Sequence, residues 1–217
     1  MSMDKRDVER MLNLARTELP GASDSGLKMQ LFDVINEFLA DSNSWKEWIS
    51  VPIVIGVQNY DLEPSEGLIL RLVVVFDNNK VSLNSFLSTL HPPGARLHLA
   101  WPQNTNFTAH ALVLKNVVLP TTRDDIPVAP EWLLPIYERV ILDGLLGKMM
   151  AQPTKSYTNG TMSAYHMQKF RSGIVTARVA TERSNLYGGQ AWRFPRSYRT
   201  QSQRGGVSTP FPAPTSW

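Results

Sequence analysis

The stretch LKMQLFDVINEFLADSNSWKEWISVPIVIGV, residues 27–57, changes periodicity once, and that change decides the fold class. In its first half Leu27, Leu31, Val34, Ile35, Phe38 and Leu39 recur every three or four positions. That spacing gathers them on one side of an α-helix. In its second half Ile49, Val51, Ile53, Ile55 and Val57 recur at every second position. That is the spacing of a half-buried β-strand. A chain that passes from one period to the other within about ten residues carries both helix and strand, and the order helix–helix–strands–helix–helix read below keeps the two apart, which is the α+β class. The helix is expected from about Ser25 to Ala40, with Asp24 or Ser25 as its N-cap. Pro52 cannot donate to a ladder, so it places the strand at a sheet edge or at its own first residues.

Upstream, Val8, Met11, Leu12 and Ala15 predict a helix over residues 4–18, capped by Asp4 or Ser2. Leu19-Pro20-Gly21 ends it. Downstream the β pattern continues. Leu68–Phe76 is apolar on both faces except at Arg71, which predicts a central strand. Asp77-Asn78-Asn79-Lys80 is a turn signal, with Val81–Phe86 returning as the second arm of a hairpin. Residues 96–101 and 109–119 are read as a further hairpin around Pro102–Phe107, and His91-Pro92-Pro93-Gly94 as a connecting loop.

Helical periodicity resumes after Pro127. Pro130 suits a first helical turn, and apolar residues run densely from Trp132 to Met150. Pro135 lies close enough to the start to distort the first turn. Pro153 ends this helix, and Thr158 or Asn159 caps a fourth that runs to about Arg183. Its inner positions are read as Met162, Tyr165, Phe170, Ile174 and Ala177. The expected architecture is therefore a helical domain of residues 1–48 and 120–184, packed as a bundle. A β-rich insertion of residues 49–119 lies between its halves, and an extended basic tail of residues 185–217 follows.

Charge is distributed unevenly. The whole chain of 217 residues carries +3. From Arg183 to Trp217 there are five arginines and no Lys, Asp or Glu, so that segment is +5 and the remainder is −2. A near-neutral body with a basic tail implies an acidic partner for the tail, either nucleic acid or an acidic protein groove. Within the tail, Arg193, Arg196, Arg199 and Arg204 interleave with Trp192, Phe194 and Tyr198. Arginines among aromatics bind phosphate backbones and stack on bases. Guanidinium groups also fork onto carboxylates in protein clefts. Trp217 ends the chain, and an aromatic in an irregular polar segment serves as an anchor.

The sequence offers little for catalysis. There is no cysteine, so disulfides, thiolate metal sites and cysteine nucleophiles are excluded. That composition suits assembly in a cytoplasm. Met1–Arg10 has no apolar run of signal-peptide length, and no apolar stretch is long enough to span a bilayer. No glycine-rich phosphate loop precedes a Lys-Ser or Lys-Thr pair. None of His91, His98, His110 and His166 forms an i, i+4 pair. A facing of His98 and His110 across the 96–119 hairpin would make only a weak metal site without a carboxylate nearby, and both are read as solvent-facing strand residues. Asp77 and Asp124-Asp125 sit in turn-forming segments, where capping is the ordinary role. Trp45 and Trp48 are read as core aromatics. No catalytic, cofactor or metal site is predicted.

Several stretches carry a resemblance. They are Leu14-Ala15-Arg16, Leu19-Pro20-Gly21-Ala22-Ser23-Asp24, Leu31-Phe32 with Ile35-Asn36-Glu37-Phe38, and Trp45. They continue with Tyr60-Asp61-Leu62, Gly67-Leu68-Ile69-Leu70-Arg71-Leu72, Gly144-Leu145-Leu146, Gln152-Pro153-Thr154-Lys155-Ser156-Tyr157-Thr158-Asn159 and Phe170-Arg171-Ser172-Gly173-Ile174. In order and spacing these resemble the head-to-tail adaptor, or tail-tubular, proteins of short-tailed bacteriophages, over residues 8–185. Ser156-Tyr157 stands where the family pattern has Pro-Trp, and residues from 186 onward match no family pattern. The resemblance implies a structural virion protein at the head–tail junction, assembled in the host cytoplasm and not an enzyme. It implies a ring of this chain, commonly twelve copies, beneath the portal protein. Such a ring extends the channel through which genomic DNA passes and offers a platform to the tail nozzle protein. It also implies that the C-terminal segment docks in grooves between portal subunits. That role falls here on Trp192, Arg193, Phe194, Arg196, Tyr198, Arg199 and Arg204. Gly144, Gly147 and Gly173 permit close helix approach, in ring packing or in the local core. Neither a cofactor nor a membrane is implied. The alternative reading is a nucleic-acid-binding protein that uses the same tail.

Overall fold

The structure is a computed structural model that describes residues 4–91, 93–118 and 129–184. Helix α1 (Lys5–Glu18) starts at Asp4, whose carboxylate accepts the Arg6 N–H at 3.0 Å. It buries Val8, Met11, Leu12 and Ala15, the predicted stripe. Helix α2 (Asp24–Ser42) is capped by Ser23, one residue before the expected caps. The Ser23 hydroxyl accepts the Gly26 N–H at 3.3 Å. The helix ends at Asn43, whose φ of 55° is the left-handed conformation that closes helices and that asparagine tolerates well. Leu27, Leu31, Val34, Ile35, Phe38 and Leu39 are all buried, together with Phe32, so α2 is the central helix of its core.

Six strands follow: β1 (Lys46–Ile53), β2 (Asn59–Leu62), β3 (Leu68–Phe76), β4 (Ser85–His91), β5 (Gly94–Leu99) and β6 (Phe107–Asn116). They form two antiparallel three-stranded sheets, ordered β1-β6-β3 and β2-β5-β4. Val51, Ile53, Val75, Ala109, Ala111 and Val113 of the first sheet share one hydrophobic cluster with Leu62, Ala95, Leu97 and Leu99 of the second. The sheets therefore pack face to face as a small sandwich. Helices α3 (Leu133–Met150) and α4 (Gly160–Ser184) complete the described chain. A second cluster joins all four helices and takes in Trp45 and Val117, where the chain enters and leaves the strands. The observed class is α+β, with four helices and two sheets among the described residues.

Several strand expectations are corrected. β1 begins at Lys46 and stops at Ile53; Ile55 and Val57 are exposed in the following turn. Pro52 does lie on an edge strand, opposite Thr108. β3 is an edge strand and β6 is the central one. The reason is visible in β3, where register shifts at Ile69/Arg71 and Leu72/Val74 turn Leu70 and Val73 outward. The turn after Phe76 forms, with the Asp77 carboxylate accepting the Asn79 and Val81 N–H groups at 2.8 Å. Its return arm stays on β3 only as far as Leu83, whose N–H donates to the Val75 carbonyl at 2.8 Å, and β4 pairs with β5 instead. Residues 96–101 and 109–119 are not a hairpin, because β5 and β6 belong to different sheets.

In α3, Tyr137 departs from helical geometry (φ −115°, ψ 20°) two residues after Pro135, the distortion that proline foretold. Phe170, Ile174 and Ala177 of α4 are buried as expected. Met162 and Tyr165 are exposed, and Ser163 and Met167 take their place on the inner face. Trp45 is buried; Trp48 is 48% exposed and lies against Phe76 on the outer sheet face.

Candidate interaction surfaces

The tail residues singled out above, Trp192, Arg193, Phe194, Arg196, Tyr198, Arg199 and Arg204, lie outside the described residues, as do Asp124 and Asp125. The last described element before the tail is α4. Its exposed surface carries Arg171 and Arg178, close in sequence to the arginine-rich segment.

The three glycines hold the helices together within one chain. A Cβ on Gly144 would stand 2.7 Å from Val34 Cγ1 and 2.8 Å from Phe170 Cδ2. On Gly147 it would meet Met167 Cγ at 2.7 Å, and on Gly173 it would meet the Val140 side chain. Each glycine thus admits a large side chain from a facing helix. The Ser163 hydroxyl adds a bond of 2.7 Å to the Gly147 carbonyl.

The loop joining α3 to α4, one of the stretches quoted for the resemblance, is tightly bonded. The Thr158 hydroxyl donates to the Gln152 carbonyl at 2.6 Å and accepts the Lys155 N–H at 3.0 Å. The Tyr157 hydroxyl donates to Gln152 Oε1 at 3.2 Å. The Asn159 N–H reaches the Met150 carbonyl at 3.1 Å, and its side chain caps α4 through the Met162 N–H at 3.1 Å. Thr154 takes a left-handed φ of 64° inside this loop. The loop is also tied across the fold, because the Ser156 hydroxyl donates to the Pro20 carbonyl at 3.1 Å. Leu19-Pro20-Gly21 and Gln152–Asn159, far apart in sequence, are therefore in contact.

Where strands meet helices there is a buried ion pair. Lys115 is 5% exposed; its ammonium lies 3.0 Å from Glu47 Oε2 and 4.4 Å from the centre of the Trp45 ring. Burial pushes the Glu47 carboxyl upward. Hydrogen bonds from Ser65 and Lys115 together outweigh that and leave it below its ordinary value.

Chemical groups are scattered. His98 Nδ1 meets Asn59 Oδ1 at 2.8 Å and His110 Nδ1 meets Ser50 at 3.2 Å, so the two histidines sit in separate sheets and do not face each other. His166 Nδ1 pairs with Asp143 Oδ1 at 2.7 Å across α3 and α4. Sequence reading missed that pair, since a separation of 23 positions leaves no local signal. Among the described residues, no three His, Asp or Glu side chains gather closely enough to hold a metal ion. An open cleft of about 760 Å³ lies between the free edges of β3 and β4, lined by Leu70, Leu72, Val73, Phe86, Leu87 and Leu90 among others. Ser82, Asn84 and Ser85 make part of the lining polar, and its one charged residue among those described, Arg71, bonds through its guanidinium to the Asn43 side chain. Compared with known proteins, the chain matches no family model and no curated sequence.

Proposed function

We propose that this chain is a structural protein of a tailed bacteriophage particle, a head-to-tail adaptor that forms a ring beneath the portal. In this reading residues 1–48 and 120–184 are the helical domain and residues 49–119 an inserted strand lobe. Residues 185–217 form the arm that docks in grooves between portal subunits. The ring extends the DNA channel and seats the tail nozzle protein, so the chain's work is docking and not catalysis. Each copy contributes modest contacts, and ring closure multiplies them.

The observation that carries the reading is the contact between Ser156 and Pro20. It joins two of the stretches that carry the resemblance, within a core to which both ends of the body contribute helices. No described helix is long and apolar enough to cross a membrane.

The uncompensated tail arginines favour one rival, a nucleic-acid-binding protein. A nucleic-acid binder shifts DNA as the isolated chain, with affinity falling steeply in salt. An adaptor adds a ring to purified portal in negative-stain images. The adaptor reading predicts the second result without the first; DNA binding with no portal ring overturns it.

A further inference from the structure

The fold has two apolar cores with no residue in common. From the described residues between α2 and Ala129, the helical core takes only Trp45 and Val117. Among the strands, β6 packs most on a helix, against α2. The seam between the cores is polar. Among the described residues the buried polar side chains are Ser42, Asn43, Lys115, Asn116 and Ser163, and all but Ser163 lie at this seam. Two parts of a chain move as one by default only where a large apolar interface joins them. Here polar ties take that place.

The ties grip the first sheet from both faces. Arg71 of β3 lies opposite Leu114 of β6, and Lys115 is the next residue, so Arg71 and Lys115 point to opposite faces. On one face the Arg71 guanidinium bonds the Asn43 side chain, at the left-handed end of α2. On the other, the Lys115 ammonium lies 3.0 Å from Glu47 Oε2 and 4.4 Å from the centre of the Trp45 ring. The Glu47 carboxylate also accepts the Ser65 N–H at 3.2 Å, and the Lys115 N–H donates to the Trp45 carbonyl at 2.9 Å. Gly67 lies so close to the Trp45 ring that a Cβ there would stand 2.6 Å from Cη2. Glu47 thus ties together β1, β6 and the turn before β3, beside the one ring that both parts of the fold touch.

A proton on Glu47 turns this tie into a wedge. Ionised, the carboxylate neutralises an ammonium that is 5% exposed. Protonated, it leaves that ammonium against a neutral acid and an aromatic ring. A buried charge without its partner must reach water. Its way out is through the seam, because the cores on either side are apolar. The charged residues on the neighbouring elements are Asp41 on α2, Lys46 on β1, Glu63 and Glu66 before β3, Arg71 on β3 and Lys115 on β6. Lys115 is the one whose charge acts on Glu47.

We infer that the Glu47–Lys115 pair is a proton-operated latch between the strand sandwich and the helical core. Ionised, it holds the two as one body. Protonated at Glu47, it lets the sandwich swing about the crossings at Ser42–Trp45 and Asn116–Val117 with both cores intact. The latch is a property of the single chain and stands apart from any docking on a portal.

The chain has no cysteine, so spin labels can be placed on introduced ones. Met29 on α2, Leu90 on β4 and Val175 on α4 are all exposed. The Met29→Cys/Leu90→Cys variant reports the distance between sandwich and helices by electron–electron double resonance. The Met29→Cys/Val175→Cys variant reports a distance within the helical part. At pH 7 both should give one narrow distribution. In acid, at about pH 3.5, the first should broaden at least twofold and the second should stay narrow. Glu47→Gln, which fixes the neutral form, should broaden the first already at pH 7. Glu47→Gln/Lys115→Met, which leaves no stranded ammonium, should keep it narrow at both pH values. Amide exchange at Ile35 and Val113 should stay slow throughout. A cross-distance that stays narrow in acid and in Glu47→Gln overturns the latch. Broadening within the helices, or fast exchange at Ile35 or Val113, would show ordinary acid unfolding and overturns it too. Acid broadening that persists in Glu47→Gln/Lys115→Met would place the proton on another group and overturn the assignment to Glu47.

Discussion

The Ser156 hydroxyl bonds to the Pro20 carbonyl across 136 positions of sequence. It closes the end of the helical core where the α1–α2 and α3–α4 turns meet, and Gly21 at φ 86° turns beside it. A Cβ on Gly21 would approach Ser156 Oγ to 3.1 Å. Ser156→Ala removes one exposed neutral hydrogen bond, worth about 0.5–1.5 kcal/mol. The melting temperature should fall by roughly 2–4 °C per kcal/mol for a chain of this size. Gly21→Ala should cost more, about 1–2 kcal/mol from the left-handed backbone alone. Thermal melts by circular dichroism check both; no change in either variant would remove this tie from the account.

Gly144 separates a packing role from an assembly role. Gly144→Ala drives a methyl group against Val34 and Phe170 and should destabilise the monomer by roughly 1–3 kcal/mol. Phe170→Ala empties the same site and should cost about 3–5 kcal/mol. Urea melts of the isolated chain measure both. Unchanged monomer stability with loss of rings would show that Gly144 serves the ring instead.

The Glu47–Lys115 pair gives the fold a pH dependence of known sign. The folded Glu47 carboxyl lies below its ordinary value of 4.5. The stabilisation it contributes is therefore fully present above that value and is lost as pH falls through the lower, folded value. Denaturant midpoints should hold from neutral pH down to about 5 and decline below 4, and Glu47→Gln should flatten part of that decline. Lys115→Ala, which strands a part-buried carboxylate, should be more damaging at pH 7 than the paired change Glu47→Gln/Lys115→Met. Equal damage from both would show that the pair is not coupled.

Much of the helical part was readable before the structure, because helices write their signals locally. Asp4 and Asn159 cap the helices they were expected to cap, and Pro135 marks the distortion at Tyr137. The stripe of α2 is buried as spaced. Strand partners were less readable. Alternation tells which face a side chain takes and not which strand lies beside it. Leu68–Phe76 looked central because both its faces are apolar, yet Leu70 and Val73 are turned out at bulges on an edge. The hairpin drawn through Arg96 and Ala109 failed for the same reason. The end of β1 was hidden too, since the exposed Ile55 and Val57 continue its alternation past Ile53. The tail's chemistry was evident from composition alone, because five arginines without a counter-charge need no fold to be noticed.

The central claim is that this body docks on a portal through the segment beyond α4. The most direct measurement images purified portal by negative stain with the full chain and with a chain lacking residues 186–217. The truncated chain should give an unchanged melt, because it keeps every described residue of both cores, of which Ala177 is the last. The account predicts an added ring with the full chain and bare portal with the truncated one. A truncated chain that still adds a ring contradicts the role given to the tail, and a full chain that adds none contradicts the adaptor itself.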